Sequence, residues 1–119
     1  MKFISTKLHG VLDYVYGILL IAAPWVLNFD RGGAETWIPV AIGLLVLIQS
    51  VFTDYETGLL RKIPMIGHIL FDIVAGLFLA MSPWIFNFYD FVWAPHLFFG
   101  VFSVLVASFT KTIPADRAL

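Results

Sequence analysis

HGVLDYVYGILLIAAPWVLNF at residues 9–29 returns as HILFDIVAGLFLAMSPWIFNF at residues 68–88. Nine of the twenty-one aligned positions are identical: His9/His68, Asp13/Asp72, Val15/Val74, Gly17/Gly76, Leu20/Leu79, Pro24/Pro83, Trp25/Trp84, Asn28/Asn87 and Phe29/Phe88. Apolar composition alone would scatter Leu and Val. It would not restore a His, an Asp and a Pro-Trp pair in register, so the chain holds a duplicated structural unit.

Outward from this repeat, the 119-residue chain is 61% hydrophobic and only 13% charged, with a mean hydropathy of +0.93. A soluble domain of this size has too much surface to hide that much apolar side chain. Four apolar segments, roughly 8–28, 37–53, 66–86 and 93–110, divide the chain. A helix needs about 20 residues to cross a hydrocarbon core of about 30 Å; the first and third segments meet that, and the other two lie near the lower limit. The expected fold is all-α: a polytopic membrane protein of four transmembrane helices, forming a single membrane domain over 1–119. Repeat 1 covers about 8–53 and repeat 2 about 66–110, joined by the loop 54–65. Lys2 and Lys7 before an apolar run ending in Ala22-Ala23 have the outline of a signal peptide, but Asp13 within the run and its internal recurrence read it as a retained helix. The chain has no cysteine, which removes disulfides, thiolate catalysis and cysteine-ligated metals together.

Charge orders the topology. Lys2 and Lys7 precede the first span, Arg61 and Lys62 lie between the second and third, and Lys111 and Arg117 follow the fourth; only Arg31 falls in the other two loops. The positive-inside rule then places both termini and the 54–65 loop in the cytoplasm, with 29–36 and 87–92 outside a cytoplasmic membrane. Trp25, Trp37, Trp84 and Trp93 all flank the two outer loops, at the interface an indole prefers. Each repeat spends two spans, so the second unit is inserted in the same orientation as the first, and a pseudo-two-fold axis along the membrane normal should relate them. The second spans correspond more weakly, through Gly43/Gly100, Ser50/Ala107, Phe52/Phe109 and Thr53/Thr110. Gly43, Val46, Ser50 and Thr53 share one helical stripe, as do Gly100, Ser103, Ala107 and Thr110; such small-residue faces let helices approach closely in lipid. Gly17 and Gly76 are packing positions of the same kind, and a homo-oligomer built on these faces is allowed.

At Ser82-Pro83-Trp84, and in the near copy Ala23-Pro24-Trp25, the chain resembles the SPW-repeat family of small bacterial and archaeal membrane proteins. That family carries the tripeptide in the first of two membrane helices per repeat, and the resemblance extends over essentially the whole chain. It implies a two-helix repeat and brings no established activity. The first copy departs from the tripeptide by having Ala23 in place of Ser.

Pro24 and Pro83 lack an N–H, so the carbonyls of Leu20 and Leu79 lose their usual donor and the helices bend. Ser82 is a local donor in the second copy; the first has none. Asn28 and Asn87 stand where each helix should run out and read as C-terminal caps. The strongest polar signal is His9 with Asp13 and His68 with Asp72, each at i,i+4 on one face, the carboxylates about 6 Å deeper than the imidazoles. If the first and third helices meet near the pseudo-axis, all four converge. Three readings are open for them: a structural pairing that stitches the bundle, a proton- or ion-handling site, and a two-histidine haem or His2Asp2 metal site. No cofactor is expected, though neither haem nor metal is excluded. His96 has no repeat partner and reads as an outer-interface residue, and the mixed charges of 54–65 read as a solvated loop. With no Gly-rich phosphate cradle, no Ser-His-Asp spacing and no basic run, the expectation is a non-enzymatic structural or interaction module whose partner is the bilayer and not nucleic acid. Transport through the His-Asp pairs is the alternative, with an unspecified small molecule or ion as ligand.

Overall fold

The structure is a computed structural model describing residues 2–113; Arg117, counted among the basic residues above, lies outside the described residues. Among the described residues four helices follow one another: α1 (Thr6–Val26), α2 (Ala34–Phe52), α3 (Met65–Ile85) and α4 (Ala94–Ser108). The first three are long and apolar enough to cross a membrane. α4 is also apolar but has 15 residues, fewer than the 93–110 expected from the sequence. It begins at Trp93-Ala94-Pro95, where proline suits a first turn, and stops before Thr110 turns into a short extended bridge.

α1 packs chiefly on α2 and α3 on α4, giving two hairpins, while slighter α2–α3 and α4–α1 seams close the bundle. The glycines explain the intimacy of each hairpin. A Cβ on Gly43 would stand 2.7 Å from the Gly17 carbonyl oxygen, and one on Gly76 would stand 2.8 Å from that of Gly100. These small-residue faces therefore pack within each hairpin.

The two ends of the bundle differ in chemistry. One end carries the tryptophans, with Trp25 on Trp37 at 6.2 Å and Trp84 on Trp93 at 6.5 Å between ring centroids. There α1 ends in a full Schellman motif. Asn28 adopts φ 59°, its N–H donates to the Trp25 carbonyl, and the Phe29 N–H donates to the Pro24 carbonyl at 2.8 Å. α3 ends alike, with Asn87 at φ 59° and Phe88 N–H donating to the Pro83 carbonyl at 2.9 Å. Within α3, Ser82 Oγ donates to the Leu79 carbonyl at 2.7 Å, supplying the bond that Pro83 cannot make.

The opposite, loop end is tied by two parallel single-residue bridges, Ile4 with Thr110 and Ile63 with Thr53. Each joins the lead-in of one repeat to the last residue of the other, so the bridges respect the pseudo-two-fold. Between the ends lies an apolar layer of Tyr16, Leu20, Ile42, Val46 and Leu79. The outward faces remain apolar and exposed, as at Ile18, Ile48, Val74 and Leu105, the pattern of a surface solvated by lipid.

The symmetry is broken along the seams. An open apolar groove of about 480 Å3 runs between α2 and α3, whereas its counterpart between α4 and α1 holds about 150 Å3. Ala41 and Ala75 line the first; Phe98 and Tyr16 occupy the equivalent places in the second and fill it.

Gly43→Val and Gly76→Val should each lower the melting temperature of the detergent-solubilised protein, by overpacking worth about 1–3 kcal/mol. Gly67→Ala is the control, because a Cβ there meets only ordinary contacts at 3.8 Å; an equal loss from Gly67→Ala would show that the hairpin contact is not what the glycines secure.

Candidate functional site

The first turns of α1 and α3 place His9 and His68 one turn before Asp13 and Asp72, and all four side chains are buried at the loop end of the bundle. They converge. His9 Nε2 lies 2.9 Å from Asp72 Oδ2 and 3.2 Å from Asp13 Oδ1; His68 Nε2 lies 2.9 Å from Asp13 Oδ2 and 3.1 Å from Asp72 Oδ2. The shorter contact of each histidine crosses to the other repeat, although α1 and α3 do not pack along their lengths. The two imidazoles meet edge to face at 5.2 Å between centroids. That contact leaves no slot between them for a porphyrin plane, so the geometry disfavours haem.

The far nitrogens are fixed by threonines. His9 Nδ1 is 2.7 Å from Thr110 Oγ1 and His68 Nδ1 is 2.6 Å from Thr53 Oγ1. Each hydroxyl has one proton, and each donates it to a backbone carbonyl at 2.6 Å, Thr110 to Val106 and Thr53 to Gln49. The hydroxyl oxygens must therefore accept, and both histidines carry a proton on Nδ1. In a neutral imidazole so oriented, Nε2 is a bare lone pair, and it faces carboxylate oxygens. Such a contact becomes attractive only when positive charge stands in it, either a proton on Nε2 or a metal ion.

The carboxylates have their own partners, and here the repeats diverge. Tyr55 donates its hydroxyl to Asp13 Oδ2 at 2.9 Å, and Gln49 donates its amide to Asp72 Oδ1 at 2.8 Å. Tyr55 is fully buried, so the 54–65 segment is not simply the solvated loop its charges implied; part of it turns inward to cover the cluster. Burial, reinforced by the Asp13 charge, pushes the Tyr55 phenol above its ordinary value and keeps it a donor. Close packing at Gly10, where an added Cβ would meet Thr57 and Tyr55, lets this segment settle on α1. Beside His9, Asp13 and Asp72 lies a crevice of only about 10 Å3, roughly room for one water.

Sequence reasoning missed Tyr55 and Gln49 as partners and read Thr53 and Thr110 only as small packing residues. For the threonines a signal existed, since they recur as the histidines do, though at an offset shorter by two residues. Gln49, the chain's single glutamine, stands inside a span. Tyr55 left no trace, because its position depends on how a loop folds back.

His96 is placed more closely by the structure than by the sequence. It lies at the tryptophan end but is 1% exposed, enclosed by the chain itself. Its ring lies 5.1 Å from that of Phe29 and 4.8 Å from that of Phe88, and Nε2 donates to the Glu35 carbonyl at 2.8 Å. It plugs the axis between the two Schellman ends. Pro24, Ser82, Pro83, Asn28 and Asn87 serve helix geometry at this end; Trp25 and Trp84 remain half exposed, and none of these residues joins the His-Asp cluster.

The SPW repeat domain family matches residues 7–110. Among curated proteins and solved structures, nothing matches the chain.

Thr53→Val and Thr110→Val should each destabilise the protein by about 1–3 kcal/mol, the cost of stranding a buried Nδ1–H. Denaturant unfolding in detergent measures both. Because the sites are symmetry mates, unequal losses differing by more than that range would show that the two orienting bonds are not equivalent.

Proposed function

Because the chain belongs to the SPW repeat family, and its apolar helices mark it as a membrane protein, we propose that it is a structural, non-enzymatic module of the cytoplasmic membrane whose two repeats are stapled by the buried His-Asp centre. One observation carries this reading: the closest carboxylate contact of each histidine, at 2.9 Å, runs between repeats and not within them. A buried ion pair is a poor source of net stability but a strong source of register, since any other arrangement strands a charge in lipid. Two helices that barely touch elsewhere are thereby fixed at one depth and one rotation.

Orientation follows from the basic residues. Lys2, Lys7, Arg61, Lys62 and Lys111 belong to the end that carries the bridges and the cluster, and the four tryptophans belong to the other. Both termini are then cytoplasmic, which puts the centre in the cytoplasmic leaflet. The lipid bilayer is the partner of the exposed helix faces.

An ion-linked transport role for the same four residues is the second reading, favoured by the small crevice that reaches His9, Asp13 and Asp72. The two diverge in liposomes.

Asp13→Asn and Asp72→Asn should each cost about 3–5 kcal/mol of stability by breaking a buried pair, while membrane insertion persists and wild-type liposomes carry no flux. Proton or cation flux in wild type that disappears in both variants would replace the structural reading with the transport one. For orientation, a cysteine replacing the exposed Asp90 should react with an impermeant thiol reagent added outside intact cells, and one replacing the exposed Leu59 should not. The reverse pattern would invert the topology.

A further inference from the structure

Direct ion pairing leaves one atom of the centre without a directed hydrogen bond. His68 Nε2 is fully buried and sits between two carboxylates at 2.9 and 3.1 Å, yet it makes no directed hydrogen bond to either. Its Nδ1–H is committed to Thr53. A nitrogen lone pair aimed into a carboxylate-lined space inside an apolar bundle is costly unless something positive fills that space.

We propose that His9 Nε2, His68 Nε2 and one oxygen each from Asp13 and Asp72 form a closed, four-coordinate site for a divalent first-row cation of the zinc class. Donor atoms of the four residues all lie within 4.8 Å of one another. A tetrahedral zinc ion with bonds of about 2.0–2.2 Å holds its ligands about 3.3–3.6 Å apart. The direct His-Asp distances of 2.9–3.2 Å, which involve both oxygens of Asp13 and one of Asp72, need to open by a few tenths of an ångström, while the widest separations, within 4.8 Å, close by about 1 Å as the side chains settle on the ion.

Charge and second neighbours agree. Two carboxylates and one dication with neutral imidazoles sum to zero, which is what a membrane interior demands. Ligating histidines characteristically donate the other ring N–H to an oxygen, and here Thr53 and Thr110 receive it. Ligating carboxylates are in turn hydrogen-bonded, as Asp13 is by Tyr55 and Asp72 by Gln49. A set of two imidazoles and two carboxylates with no sulfur suits Zn2+ or its neighbours and not Cu(I), nor does it offer the larger all-oxygen shell of Ca2+. Four protein ligands leave no position for a reacting water, so the ion would join the repeats and not catalyse hydrolysis.

The test uses the full-length protein in detergent, stripped with chelator and titrated with ZnSO4, and in parallel with CoCl2 as a spectroscopic probe. Expected are one zinc per chain, a melting temperature that rises with zinc, and the intense visible bands of tetrahedral Co2+. Thr53→Val should weaken zinc binding 10–100-fold, His68→Ala should abolish it, and His96→Asn, distant from the cluster, should leave it unchanged. If His68→Ala does not fold, the wild-type Co2+ spectrum and the Thr53→Val affinity still decide. Wild type without stoichiometric zinc, a Co2+ spectrum of octahedral type, or full affinity in Thr53→Val or His68→Ala would overturn the metal site. A metal-free wild type that is destabilised by Asp13→Asn would leave the direct His-Asp staple standing.

Discussion

Two carboxylates buried within an apolar bundle must each be met by positive charge and by donors for every remaining lone pair, and most of the polar architecture at the loop end follows from that demand. Asp13 and Asp72 require His68 and His9 across the axis. The histidines require an acceptor behind them, which brings Thr53 and Thr110 into place just past the ends of α2 and α4. The threonines are held by the bridges to Ile63 and Ile4, so a requirement that starts with a charge ends by fixing where the chain crosses from one repeat to the other. Hydrophobic burial cannot impose this order in lipid, where a Leu is as well solvated outside the bundle as in it.

The repeat made most of the fold legible. His, Asp, Pro, Trp and Asn recurring in register gave two hairpins, their polarity and the convergence of the four polar residues, because each of those residue types has a narrow set of uses inside a membrane. The glycine stripes were legible as contacts, and close approach of Gly17 to Gly43 and of Gly76 to Gly100 is what such stripes do. That the contact would be intramolecular was not readable, since a stripe says that a helix approaches and not which one. The length of α4 was misjudged by composition, as Phe109 and Thr110 are apolar or small enough to continue a helix but are taken by the bridge to Ile4.

What the sequence concealed lies where the two copies differ. Gln49 serves Asp72, but its counterpart is Val106, and Asp13 turns instead to Tyr55 from the loop between the repeats. His96 stands alone on the axis, where Pro39 is its counterpart. A duplicated pair of ligands needs only one occupant on a two-fold axis, and there neither copy can be followed faithfully. Periodicity and self-similarity are silent at such points; three-dimensional context decides them.

The bond from His9 to Thr110 spans 101 residues of chain, and its length has a bearing on how the protein is made. Synthesis delivers α1 and α2 first, with Asp13 already within membrane depth and its cross-axis partner His68 not yet translated. Until α3 follows, the nascent hairpin can offer that carboxylate only its own His9 and the Tyr55 hydroxyl. The last of the orienting residues emerges only after α4. Assembly of the first hairpin is thus provisional and is completed by the second, whose His68, Asp72 and Thr110 supply the cross-repeat partners.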